Sequence, residues 1–372
     1  MTIGQLQSKM NELAKKRSLL SELLDRHGLD AILLQRVSNI AWMTRGASTF
    51  VNTARSDAEA SLVITGKDQY LVTNNIEAVR LDKEERLVAE GWDFRVAPWY
   101  EKNSAISELT HGLKLGSDGL FPGALDLSDE ITHLRANLTP TEGERFRILG
   151  QLCAEAMNAA VWSVRPGQTE YEIAGILSME AEQRGVQATV NLIATDERIF
   201  KYRHPLPTTK KLARYAMLIL CGRRQGLVCS ITRLVHFGPL PEEVRCIAEL
   251  VARVDAEMIA ATRPGRSLKE IFGIAMQAYA QAGYPEEWRM HHQGGPVGYE
   301  PREYLATPTS TETVSVGQAY AWNPSITGAK SEDTFLVGER DNQIITAIPG
   351  WPVIQVEVNG QILERPAILV IE

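Results

Sequence analysis

Two stretches of this chain repeat each other in register. "VRPGQTEYEIAGILSMEAEQRG" ends at Gly185 and "TRPGRSLKEIFGIAMQAYAQAG" ends at Gly283. Both carry Arg-Pro-Gly, then a hydroxyl residue (Thr169, Ser267), then Glu-Ile, then Gly, at identical spacing. Each reads as a helix, a Pro-Gly stop, a capped second helix and a glycine terminus. Strand-like runs follow each copy. A period of about 100 residues is too long for a solenoid. It predicts two related halves of one domain, with a site on the pseudo-twofold axis between them.

The chain before the repeat alternates. The spacing of Leu6, Met10, Leu13, Leu20 and Leu24 predicts a helix to about Arg26. "DAILLQ", "NIAWMTRG", "ASLVIT" and "QYLVTNN" then read as strands, and "EAVRLDKEERLVAEG" as a charged helix. Short strands in "DFRVAPWY" and "KLGSDGL" and a helix in "LSDEITHLRAN" complete a three-layer α/β domain. "LTPTEGERF" marks a boundary, because Thr139, Pro140 and Thr141 precede an acid-rich first helical turn. The expected domains are therefore 1–136 and 137–372. Near the end, Asn359-Gly360 between alternating strands signals a type I′ hairpin.

Composition excludes several roles. The net charge of -7 speaks against general nucleic-acid binding. The N-terminus has no unbroken apolar core of a signal peptide. Apolar runs such as "AMLIL" and "AILVI" are too short to cross a bilayer. The four cysteines contain no CxxC pair, so a reducing cytoplasm is the simplest expectation.

One hairpin stands out. "LILCGRRQGLVCSITRLVHFG", from Leu218 to Gly238, has a basic turn, and no acidic residue occurs between Glu197 and Glu242. Its neighbours carry a resemblance. With "LTPTEGERFRILGQLCAEAMNAAVWSVRPGQTEYEIA", "GLVCSITRLVHFG", "HHQGGPVGYEPRE" and "WNPSITGAKSEDTFLV" in this order, the chain resembles the creatinase/prolidase/aminopeptidase P family. That resemblance covers essentially the whole chain. It implies an α/β (α+β) fold: a three-layer creatinase-type N-terminal domain plus a duplicated pita-bread domain.

The resemblance also implies where metal should sit. Metallopeptidases of this family hold two divalent ions with two Asp, one His and two Glu. Matched on Thr232-Arg233, the Asp positions are Ile219 and Ser230. Matched on His291 and Gly298, the ligand His is Gly295. The first Glu position is Asn323, before Pro324, and only the last, Glu332, keeps a carboxylate. One carboxylate cannot neutralise two dications, so the usual centre is not expected.

What persists is the substrate side. His204 and His291 match histidines that the family places off the metal, and a third falls at Arg302, followed by Glu303. Creatinase, on this fold, hydrolyses a C–N bond without metal. The expected catalytic residues are His204 as acid/base, His291, and Glu332 as cation holder or histidine orienter. The expected substrate-binding residues are Arg302, Arg233, His292 and Glu303, with the arginines as carboxylate clamps. The basic, acid-free stretch favours an anionic ligand. A single rebuilt metal site from Cys229, His292 and Glu332 is a minor alternative. The leading expectation is a cofactor-free C–N hydrolase of a small carboxylate-bearing substrate, a cytoplasmic homodimer without nucleic-acid or membrane partners. The alternatives are a non-catalytic pseudo-peptidase and a metal-dependent Xaa-Pro peptidase.

Overall fold

A computed structural model describes residues 3–101 and 104–372, with side chains from residue 12 onward. The chain divides into two compact units, Met1–Arg135 and Ala136–Glu372.

The first unit is built on a six-stranded mixed sheet. Its strands are β1 (Ala31–Arg36), β2 (Asp57–Thr65), β3 (Gln69–Asn74), β4 (Asp93–Ala97), β5 (Leu115–Ser117) and β6 (Leu125–Asp126), in the order β4-β3-β2-β1-β5-β6. Its helices are α1 (Ile3–His27), α2 (Val37–Met43), α3 (Ala78–Lys83), α4 (Ser104–Thr110) and α5 (Ser128–Arg135). Leu20 and Leu24 are buried as the α1 spacing requires; the side chains of Leu6 and Met10 lie outside the described residues. Two expectations fail here. "NIAWMTRG" supplies most of the helix α2 and no strand; all seven α2 residues are buried, so alternation of polarity carries no signal. The charged helix stops at Lys83, and Arg86 turns left-handed (φ 60°) to bring Leu87 into the core.

The second unit shows the duplication. The first half contributes α6 (Pro140–Ser163), α7 (Glu170–Glu182), β7 (Gln187–Thr195), β8 (Tyr215–Arg224) and β9 (Leu227–Phe237). The second contributes α8 (Glu242–Ala261), α9 (Leu268–Gln281), β10 (Gly294–Val297) and β11 (Ala319–Trp322). It continues through β12 (Ser325–Ile326), β13 (Ala329–Lys330), β14 (Asp333–Val337) and β15 (Asn342–Ile344). Capping boxes open both second helices, Thr169 with Glu172 and Ser267 with Glu270. The paired stops Gly167 and Gly265 have φ of 91° and 83°, which only glycine adopts cheaply. The tail adds the hairpin β16 (Val353–Val358) and β17 (Gln361–Pro366), turned by Asn359 and Gly360 at φ 52° and 76°, then β18 (Leu369–Ile371).

Two four-stranded sheets result, β18-β9-β8-β7 and β10-β11-β14-β15. Aliphatic and aromatic side chains from α8, α9, β11 and β14 pack as one core. No described helix is long and apolar enough to cross a membrane.

Candidate functional site

Strand alternation sorts the acid-free hairpin into two faces. Cys221 pairs with Ser230 and Ile219 with Thr232, so these four side chains share one face. Cys229 and Arg233 take the other. The segment entering β14 runs along the edge of β9: the Ser230 amide donates to Thr334 Oγ1 (2.8 Å), and the Thr232 amide to the Glu332 carbonyl (3.2 Å). That alignment brings Glu332 to Thr232, whose hydroxyl donates to Glu332 Oε2 at 2.6 Å.

Glu332 is 2 % exposed and is held by two cations. Arg302 Nη2 donates to its Oε1 (2.8 Å), and Lys330 Nζ to its Oε2 (2.9 Å). Arg302 Nη1 also donates to Ser230 Oγ (3.0 Å), which lies 3.3 Å from Cys221 Sγ. Burial alone would raise the Glu332 pKa, but Lys330 and Arg302 outweigh it and hold it down at about 2. Among the described residues, Glu332 is linked to Ser230 through Arg302. Lys330, two residues before Glu332 in "KSEDT", joins the group without having been marked by the sequence.

Three histidines stand beside this group. His204 Nε2 lies 2.9 Å from His291 Nε2, and His292 stacks on His291 at 4.3 Å between ring centroids. His204 is exposed, while His291 is 9 % exposed. Burial, then Lys330, lowers His291 to about 2; burial, then Arg302, lowers His292 to about 4. His204 is lowered by burial, then by Lys330. These imidazoles are therefore neutral near pH 7 and can accept a proton or a metal.

Two expected substrate contacts are corrected by the geometry. Arg233 is 2 % exposed and points away from Ser230; it pairs with Asp333 (2.8 Å) and donates to the Thr346 carbonyl (3.0 Å). Its place on an odd-numbered strand position gives it to the structural face, where Asp333 also binds Arg365 (2.8 Å). Glu303 accepts the Tyr299 amide (2.8 Å) and serves its own loop. Cys229 lies beside Cys153 on that same far face, so it cannot join His292 and Glu332 in one site. Burial raises the thiols of both Cys221 and Cys229. The basic stretch is also less positive than its sequence: Arg198 pairs with Glu170, Arg203 with Glu287, and Lys210 with Asp196.

The positions matched to metal ligands do not fit a pair of dications. Ile219 packs in an apolar cluster with Met217 and Leu234. Ser230 accepts from a guanidinium. Asn323 is 2 % exposed and uncharged. Gly295 cannot carry a side chain, because a Cβ there would lie 2.3 Å from the Tyr304 carbonyl oxygen. The one carboxylate already answers two protein cations.

Relatives place this architecture. The chain is 24% identical over 355 residues to the Xaa-Pro dipeptidase of Pyrococcus horikoshii, covering 91% of this chain and 97% of that one. The Xaa-Pro dipeptidase from Bacillus anthracis superposes with a TM-score of 0.78 at 19% identity, over 96% of this chain and 100% of that one. The N-terminal domain of the FACT complex subunit SPT16 from Cicer arietinum shares the fold at a TM-score of 0.70 and 12% identity, over 91% of this chain and 97% of that one. Residues 144–339, more than half of the chain, match metallopeptidase family M24, and the chain belongs to that family.

Proposed function

We propose that this M24 chain hydrolyses a C–N bond in a small, carboxylate-bearing, amino-acid-derived substrate without the dinuclear metal centre of its family. The observation that carries this reading is the ion pair set at the metal position: a guanidinium and an ammonium answer Glu332. Glu332 with Arg302 and Lys330 leaves a surplus of one positive charge, beside three histidines that are neutral near pH 7. A substrate carboxylate supplies the missing negative charge. The guanidinium retains a buried Nε without a partner, and Lys330 has further donors beyond the one given to Glu332. His204 takes the proton from water as the water attacks carbon, and returns it to the leaving nitrogen. His291, hydrogen-bonded to His204, fixes that ring.

The test is turnover of amidino and N-substituted amino acids by chelator-treated protein, with His204→Ala as control. Chelator-insensitive turnover lost in the variant supports the proposal. Manganese-dependent cleavage of an Xaa-Pro dipeptide, with about two ions per chain, overturns it in favour of the activity named for its relatives. A second reading, a non-catalytic binding protein, has its own support. The Ser230, Thr232 and Glu332 side chains are hydrogen-bonded within the group, and the space lined by His291 and Lys330 is about 10 Å³, room for about one water. Ligand binding by calorimetry without turnover selects it. The proposal extends to a cytoplasmic homodimer, checked by light scattering and cell fractionation.

A further inference from the structure

The hydrolase reading uses one nitrogen of His204 and leaves most of the histidine group unexplained. His204, His291 and His292 each offer a ring nitrogen, and these atoms all lie within 4.8 Å of one another. One hydrogen bond accounts for the His204–His291 contact. The Nδ1 atoms of His291 and His292 are buried and have no hydrogen-bond partner. Buried polar atoms are normally satisfied, so hydrogen bonding within the protein does not account for this histidine group. The three residues come from two places: His204 from the loop before β8, and His291 and His292 from the turn before β10.

We infer that His204, His291 and His292 form a site for one nitrogen-preferring divalent cation, Zn²⁺ or Ni²⁺, separate from the dinuclear position, and that the ion switches the site off. Zinc–imidazole bonds of about 2.0–2.1 Å put tetrahedral ligand nitrogens roughly 3.4 Å apart. The 2.9 Å pair therefore opens slightly, and any pair near the 4.8 Å limit closes. His204 is exposed and has room for that movement. The site brings no carboxylate, and its charged neighbours are Lys330, Arg302 and Glu332. Hard ions such as Mn²⁺ or Mg²⁺ need charged oxygens and gain little here, whereas imidazole suits Zn²⁺ and Ni²⁺. The switching half of the inference rests on the hydrolase reading, because a bound ion occupies the lone pair with which His204 takes its proton.

The experiment uses the full chain, stripped of metal and carrying Cys246→Ser, since Cys246 is an exposed thiol. Equilibrium dialysis against Zn²⁺, Ni²⁺ or Mn²⁺ is followed by elemental analysis. The expected result is one Zn²⁺ per chain, no Mn²⁺, and at least tenfold weaker Zn²⁺ binding in both His204→Gln and His292→Gln. Thermal melting of both variants confirms that they fold, and His204→Gln, at an exposed position, decides the matter if the other does not. No stoichiometric Zn²⁺, Zn²⁺ binding unchanged in folded variants, or Mn²⁺ bound equally well overturns the site. Turnover is then followed as Zn²⁺ is added. Loss in step with occupancy supports the switch, and full activity at full occupancy overturns it. A metal-free protein with no turnover sinks the hydrolase reading and the switch, while the metal count still judges the site.

Discussion

The two halves of the second unit begin alike and end differently. Both open their second helix with the same capping box after the same Pro-Gly stop. The first half then delivers a long hairpin whose site-facing residues, Ile219, Cys221, Ser230 and Thr232, are uncharged. The second delivers His291, His292, Arg302, Lys330 and Glu332. The scaffold is duplicated because local rules build it, and the charge is concentrated in one half. A dinuclear centre of the family kind needs carboxylates from both halves. Here the second half answers its own carboxylate with two cations, and the first contributes hydroxyls and His204.

Removing the one carboxylate is the strongest way to break that contrast. Glu332→Gln leaves Arg302 and Lys330 buried without a counter-charge, and a broken buried pair costs about 3–5 kcal/mol. Urea denaturation should show a loss of that order together with loss of turnover; a loss under about 1 kcal/mol means that water already screens the group. His204→Ala acts from the first half. Its expected cost is roughly 10²–10⁴-fold in turnover, with little change in melting temperature because the residue is exposed. An active variant removes His204 from the chemistry. In the wild type, the acid limb of kcat/KM should lie below pH 6.5, because His204 stays a base to lower pH than an ordinary histidine.

A third effect is one of stability with pH. His291 has a folded pKa of about 2 against an ordinary 6.5, so the unfolded chain binds the proton first. The stability is present above pH 6.5 and is lost as pH falls toward 2. Glu332, also near 2 against 4.5, acts in the same direction below pH 4.5. Melting temperature should therefore fall between pH 6.5 and 4.5 in the wild type and fall less steeply in His291→Gln; parallel curves refute the assignment. The smallest effect tests the sameness of the halves. Thr169→Ala and Ser267→Ala each remove one cap and should each cost about 1 kcal/mol. Unequal costs would show that the halves share sequence without sharing local energetics.

The sequence by itself determined what short-range rules govern. The Pro-Gly stops, the caps and the Asn359-Gly360 turn depend on residues within a few positions of one another, so their spacing is enough. It also marked the absence of carboxylates from the hairpin, and family likeness pointed to His204, His291, Arg302 and Glu332. Tertiary structure decided the rest. It made α2 a helix, because a fully buried segment has no polar face to reveal its period. It turned Arg233 to the far face and tied Glu303 to its own loop. It closed Gly295 to any side chain by the approach of the Tyr304 carbonyl, and it set Lys330 on Glu332. A charge's partner is fixed by distances of a few ångströms between residues far apart in the chain, such as Thr232 and Glu332. Such distances exist only once the strands have come together.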